Sequence, residues 1–265
     1  MTVNSVQAHV RDHISLLNSS LGDVRYVLGE TNSLYNEGRP GLSNAFGAAL
    51  WGVDFNLYCA SQNISRVHMH MGTNYRYQSW QPITTLPNSS YNPTVIGTKP
   101  PYYGNIAVAA VLGDLTHGDT RVANIPLNET TEAAYAVYSG AGGASPTRIA
   151  IINMLQYNYT ALANGSGLAY PAPRPTTTYG FQLPTAACAG TWAGVRRLQA
   201  NGSDAISGIT WDGYSYNWEL AEGRPVRLGN VTVGERVQVG QDGVVGVGVD
   251  ASSVTVLDLG CATVM

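Results

Sequence analysis

Val24-Arg25-Tyr26-Val27-Leu28-Gly29-Glu30-Thr31-Asn32-Ser33 is the segment on which the reading of the fold turns. Val24–Leu28 is a compact apolar strand that stops at Gly29-Glu30, and the polar loop Thr31–Leu42, with Pro40 and Gly41, follows it. Upstream, Asp12–Leu21 can end a helix, because Ile14, Leu17 and Leu21 recur three and four residues apart. Downstream, Ser43 is an N-cap for a helix running to about Asn63. Phe46, Leu50, Val53 and Leu57 form one stripe of that helix, and Trp51, Phe55 and Tyr58 widen it until most of the surface must be buried. Arg66–Met71 alternates as a second strand, and Pro100-Pro101 opens a helix over Tyr102–Leu115. Helix, strand, helix, strand, helix is the order of a parallel sheet with crossover helices. Two parallel strands need cover on both faces, so residues 1–116 read as the end of something larger.

The pattern changes near residue 117. From there to residue 265 short strands are separated by turns such as Asn201-Gly202, Asp212-Gly213 and Asp242-Gly243, which predicts an antiparallel β-sandwich. The strands expected are Arg121–Ile125, Ala133–Tyr138, Arg148–Tyr157, Tyr179–Leu183, Ala193–Gln199, Ile206–Trp211, Val231–Val239 and Val254–Leu259. Tyr170–Pro175 is a proline-rich loop, and no helix of useful length fits this half.

Composition narrows the function. Of 265 residues 44% are apolar, enough for a real core, and only 12% are charged, about half the usual share. A net charge of −3 argues against nucleic acid, whose phosphates need clustered cations. The longest apolar run, Ile106–Leu112, is too short to cross a bilayer. Two compartment signals conflict. Eight Asn-X-Ser/Thr sequons, at Asn18, Asn63, Asn88, Asn128, Asn158, Asn164, Asn201 and Asn230, favour secretion, yet Met1–Asp12 has no apolar leader. A mature secreted fragment, or a reading frame missing its start, reconciles them. Cys188 pairs with Cys261, since both lie in the β-rich half, and Cys59 in its apolar helix is a buried free thiol.

Glu30 is the most informative residue. A carboxylate ending a buried strand is out of place unless it faces a site, as strand ends do at the mouth of a barrel. It can equally bond the loop backbone or cap the following turn. His70 ends the second strand on the same layer, so two neighbouring strands would deliver a carboxylate and an imidazole to one rim. His68 and His70 lack a third ligand at a recognisable spacing, so no metal and no cofactor is expected. Tyr35, Tyr75, Tyr77, Trp80, Tyr102 and Tyr103 read as loop aromatics on the side where the strands end; such rings suit sugars, and also suit packing onto a second domain.

Gly29-Glu30-Thr31-Asn32-Ser33, Ser43-Asn44-Ala45-Phe46-Gly47-Ala48-Ala49-Leu50-Trp51 and Ile64-Ser65-Arg66-Val67-His68-Met69-His70-Met71-Gly72-Thr73 closely resemble the β-glucuronidases of glycoside hydrolase family 79, with heparanase a more distant relative. Ile209-Thr210-Trp211 and Glu222-Gly223-Arg224-Pro225-Val226 match that family's C-terminal β-sandwich. The resemblance implies an α/β plus all-β chain: the last strands and helices of an incomplete (β/α)8 TIM barrel over residues 1–116, then the sandwich over residues 117–265. It implies a retaining glycosidase acting on glucuronide-containing carbohydrate, with Glu30 as nucleophile. It puts His70 in the sugar pocket, Tyr35 and Tyr77 on the sugar and its carboxylate, and backbone groups near Gly72 and Thr73 beside them.

One departure is serious. A retaining enzyme needs a second carboxyl group about 5–5.5 Å from the first, as acid and then base. The family carries it in an Asn-Glu-Pro segment that does not occur in these 265 residues. Glu37 lies in the same loop as Glu30 and is a poor substitute. The expectation is therefore a chain inactive by itself; the alternative is a non-catalytic carbohydrate-binding or interaction protein.

Overall fold

The computed structural model describes all residues except 1, 17–18, 20–23, 73, 85–94, 117–118, 141–142, 144, 162–165, 168–171, 185–187 and 264–265. In chain order the elements are α1 (Thr2–Leu16), β1 (Val27–Thr31), α2 (Phe46–Ser61), β2 (Arg66–Met69), β3 (Trp80–Gln81), β4 (Gly97–Thr98) and α3 (Pro100–Leu112). Strands β5 (Arg121–Ile125), β6 (Glu132–Tyr138), β7 (Arg148–Asn153), β8 (Thr160–Ala161), β9 (Ser166–Gly167), β10 (Thr176–Gln182) and β11 (Trp192–Gln199) follow. Then come β12 (Thr210–Trp211), β13 (Tyr214–Ser215), α4 (Trp218–Ala221), β14 (Val226–Arg227), β15 (Glu235–Gln238), β16 (Val244–Asp250) and β17 (Ser253–Leu259). Among the described residues no helix is long and apolar enough to cross a membrane.

A nine-stranded sheet in the order β14-β13-β12-β11-β17-β7-β6-β5, with β15 also on β11, organises the chain. Its pairings are antiparallel. Strand alternation gives the sheet two apolar faces. On one face Tyr135 and Val137 of β6, Ala150 and Ile152 of β7, and Val254 and Val256 of β17 pack with Phe46, Leu50, Val53 and Leu57 of α2 and with Tyr103, Ala107 and Val111 of α3. On the other face Ala134, Ile149, Ile151, Leu257 and Leu259 meet the antiparallel pair β10–β16 through Tyr179, Phe181, Val245, Val247 and Val249. Cys188 and Cys261 are disulfide-bonded at the edge of this second core. Cys59 is buried and free, and burial followed by the nearby Asp54 pushes its thiol up to about 12.

Strand β16 has no counterpart in the sequence reading. Gly246 and Gly248 interrupt its valines and mask a strict alternation whose valine face, Val245, Val247 and Val249, is buried. Strand β7 stops at Asn153 rather than at Tyr157, because the Asn153 side chain accepts the Leu155 N–H and turns the chain. Strand β1 starts at Val27 and runs past Glu30 to Thr31; it is largely exposed, since β2 covers one edge alone. Helix α1 ends by Leu16, while Leu17 and Leu21 lie outside the described residues. Gly113, at φ 72°, closes α3 before Leu115.

Ser43 does not cap α2. Its hydroxyl accepts the Arg39 N–H at 3.0 Å, and Ala45 is the N-cap, without a side-chain bond. The open N–H groups at the start of α2 go elsewhere: Phe46 donates to the Ala205 carbonyl at 2.8 Å and Gly47 to the Ser203 carbonyl at 2.7 Å. Ser203 is itself held by its N–H to the Tyr157 carbonyl. Further along α2, buried Asp54 accepts the Tyr135 hydroxyl at 2.6 Å, and burial followed by that carboxylate drives the Tyr135 phenol pKa upward. Helix α3 lies so close to α2 that a Cβ on Gly104 would stand 2.6 Å from the Ala49 carbonyl oxygen.

Tyr135→Phe strips a buried carboxylate of its donor. It is expected to lower the unfolding free energy by about 1–3 kcal/mol, read as a lower urea midpoint; an unchanged midpoint refutes the coupling.

Candidate active site

β1 and β2 run parallel, pairing Val27 with Arg66, Leu28 with Val67 and Thr31 with Met69. Between Leu28 and Thr31 the register slips, so β1 holds one residue more than β2 in the stretch that contains Gly29 and Glu30. Such a bulge bends a strand and re-aims a side chain at its end. Beyond the bulge the two strand ends are tied together. The His70 N–H donates to the Thr31 carbonyl at 2.8 Å, and Asn32 Nδ2 donates to the His70 carbonyl at 2.8 Å.

This tie fixes one rim of a cleft of about 920 Å³ lined by Glu30, Tyr35, Glu37, His70, Tyr75, Arg76 and Tyr77, among others. Glu30, Tyr35, His70 and Tyr77, four of the residues singled out from the sequence, are thus brought together. Tyr77 is buried, and its hydroxyl lies 3.0 Å from His70 Nδ1. Burial raises the Tyr77 pKa first, and Tyr75, Glu30 and Glu37 raise it further, so the phenol stays protonated and available as a donor. The Tyr75 ring packs edge-on to Tyr77 at 5.7 Å and tilted against His70 at 5.4 Å. Tyr35, in the loop that follows β1, is 80% exposed.

Gly72 does not line the cleft. A Cβ there would stand 2.4 Å from the Tyr75 ring, so glycine is what lets that ring lie flat against the backbone. Thr73 lies outside the described residues. Glu37 is engaged: Arg76 Nη1 sits 3.4 Å from its carboxylate, and the Arg76 N–H donates to the Glu37 carbonyl at 2.8 Å. His68 is exposed on β2, and among the described residues no three His, Cys, Asp or Glu side chains gather as a metal site.

The aromatic set divides, contrary to its reading as one group of loop residues. Tyr102 and Tyr103 stand on α3, where the apolar stripe begins at the proline turn, and Trp80 belongs to β3. Tyr103 is wholly buried, donating to Asn217 Oδ1 at 2.6 Å and accepting the Tyr216 N–H at 2.8 Å. Lys99 was missed, although it is the only lysine in the sequence. Its Nζ donates to the Tyr75 carbonyl at 2.8 Å and so holds the strip that carries Tyr75 and Tyr77. Burial, then Arg76, lowers its pKa to about 8.

The cleft thus brings a strand-end carboxylate, an imidazole and a phenol together. Residues 134–256 match the family described as "Glycosyl hydrolase family 79 C-terminal beta domain". Similar proteins include a β-glucuronidase from Aspergillus niger, 55% identical over 97% of this chain and 46% of its own, and one from Neurospora crassa, 48% identical over 97% and 49%. The fold resembles that of a 4-O-α-L-rhamnosyl-β-D-glucuronidase from Fusarium oxysporum, with a TM-score of 0.71 at 21% identity, over 95% of this chain and 47% of that one. Residues 134–256 thus resemble the C-terminal β domain of glycoside hydrolase family 79, and the chain spans about half the length of the curated relatives it matches.

Lys99 gives the site a signature in pH. An ordinary lysine titrates near about 10.4, so between about pH 8 and that value the unfolded chain holds a proton that the folded chain has lost. Stability is therefore expected to climb with pH across this window, and Lys99→Met to flatten the climb. Urea midpoints from about pH 7 to about pH 10 read it; equal slopes in both proteins contradict the assignment.

Proposed function

We propose that this chain is the C-terminal part of a retaining β-glucuronidase. In this reading β1 and β2 are the last two staves of a (β/α)8 barrel whose portion here is residues 1–116, and residues 117–265 form the sandwich packed against it. Glu30 is the nucleophile. Its carboxylate attacks the anomeric carbon of a β-glucuronide, the bond to the leaving oxygen breaks, and a glycosyl ester forms. Water then adds to the anomeric carbon and releases Glu30 as carboxylate. His70 and the neutral Tyr77 phenol orient the ring, and Tyr35 closes over it.

The observation that carries the reading is the convergence of Glu30, His70 and Tyr77 on one cleft beside a strand bulge, in a chain 55% identical to a β-glucuronidase. Eight sequons and the Cys188–Cys261 bridge support a secreted glycoprotein. Protonating the leaving oxygen is a separate task. Among the described residues the only other carboxylate lining the cleft is Glu37, and it is engaged with Arg76. That engagement favours a second reading for the 265 residues alone, sugar binding without turnover; missing general-acid help costs about 10²–10⁴ in rate.

A leaving group that needs no proton separates the two carboxylate roles. 2-Deoxy-2-fluoro-β-D-glucuronyl fluoride is expected to leave a glycosyl ester on the peptide containing Glu30, and Glu30→Gln to abolish it. An unactivated alkyl β-glucuronide is expected to remain intact. An ester on another carboxylate, or none, overturns the nucleophile assignment; turnover of the alkyl glycoside overturns the inactivity.

A further inference from the structure

The aromatic residues that turn away from the Glu30 cleft build a second one. Trp80 on β3, Tyr102 on α3 and Trp218 on α4 line a separate hollow of about 400 Å³, with Gln81, Thr98 and Glu222 as its polar members. Large indoles are ordinarily buried in a folded chain. Here two of them from distant parts of the sequence flank one hollow, with 46% of Trp80 and 41% of Trp218 exposed.

The Trp80 indole is fixed in advance. Trp80 pairs with Thr98 in the β3–β4 ladder, and its ring meets Tyr102 edge-on at 6.1 Å. Tyr102 in turn meets Tyr216 at 6.2 Å, and Thr98 Oγ1 donates to the Tyr216 carbonyl at 2.7 Å. The residue before Trp218, Asn217, accepts the buried Tyr103 hydroxyl. A ring held as Trp80 is loses little entropy on binding, which suits recognition of a flat apolar face.

The charge of the hollow selects its occupant. Among the described lining residues Glu222 is the one acidic side chain, and there is no Lys or Arg; Arg224, its exposed partner at 3.3 Å, stands outside the lining. A uronate would meet a carboxylate here. A neutral pyranose offers C–H faces to the indoles and hydroxyl donors to Glu222, the combination of apolar walls and few polar groups that small-molecule sites use. The segment Tyr75–Gln81 joins the two clefts. Tyr75 and Tyr77 face the first, Trp80 the second, and three residues of chain span at most about 10–11 Å.

We propose that the Trp80–Trp218 hollow binds a neutral hexopyranose unit of the saccharide whose glucuronide occupies the Glu30 cleft. The inference rests on the proposed glycosidase reading, but its test does not pass through Glu30. The 265-residue chain is titrated with β-linked tetrasaccharides of gluco, galacto and manno configuration, followed by calorimetry and by the indole N–H resonances. Saturable binding of at least one of them, with the Trp80 and Trp218 resonances shifting, is expected. Trp218→Ala should weaken it by about tenfold or more, and Trp218→Phe should retain most of it.

Absence of saturable binding to every tetrasaccharide, or binding that shifts neither indole, overturns the proposal. So does binding that Trp218→Ala leaves intact. Should Trp218→Ala fail to fold, the indole shifts in the unmodified chain and the Trp218→Phe comparison decide alone. Ester formation at Glu30 without neutral-sugar binding sinks the second cleft and spares the first.

Discussion

From Ile149 to Ile152 every residue of β7 is apolar and buried, so this strand has no face to give to water. Its neighbours β6 and β17 share the condition, and it governs the rest of the molecule. A sheet with two greasy faces must be covered twice, and full burial of each isoleucine or valine is worth about 1.5–3 kcal/mol. The β10–β16 pair covers one face; α2 and α3 cover the other. Helix α2 is therefore set against the sheet by packing, with Tyr135 and Asp54 adding one specific hydrogen bond. Because α2 connects β1 to β2, the seat of that helix fixes where both strand ends emerge. The position of Glu30 and His70 is inherited from a core that neither residue touches.

Within that inheritance the local chemistry is built from small irregularities. A bulge at Gly29 and Glu30 gives up regular pairing at the point where the carboxylate stands. Asn32 and the His70 N–H then bind the two strand ends to each other, restoring the order that the bulge removes. Tyr77 is held neutral by burial and by the carboxylates around it, while Lys99 grips the backbone from beneath. The cleft thus combines a carboxylate, a locked ring pair and one exposed aromatic side chain.

Much of this was legible in the residues. The stripe Phe46, Leu50, Val53, Leu57 announced a buried helix, and Pro100-Pro101 marked the start of the next one. Glu30 and His70 stood out because charge at the end of an apolar run needs a reason. What escaped has physical causes. Strand β16 hid behind its glycines, whose missing side chains blunt the alternation that propensity reads. Ser43 looked like a cap because its side chain is suitable, yet the competing bond to Arg39 won. The bulge could not be read at all, since register depends on a partner strand and not on the strand itself. Lys99 was overlooked because one cation before a proline pair carries no periodic signal; its isolation in the composition was the clue.

The start of α2 offers a last consequence. Its first two amide hydrogens are received by the Ala205 and Ser203 carbonyls, groups that every amino acid possesses. A seam stitched from main-chain atoms is indifferent to which side chains decorate that stretch. Its vulnerability is geometric: an inserted or deleted residue between Ser203 and Ala205 would shift the acceptors out of alignment and tilt the rod they hold, and with it the strand ends that carry Glu30 and His70, without altering any residue of the cleft.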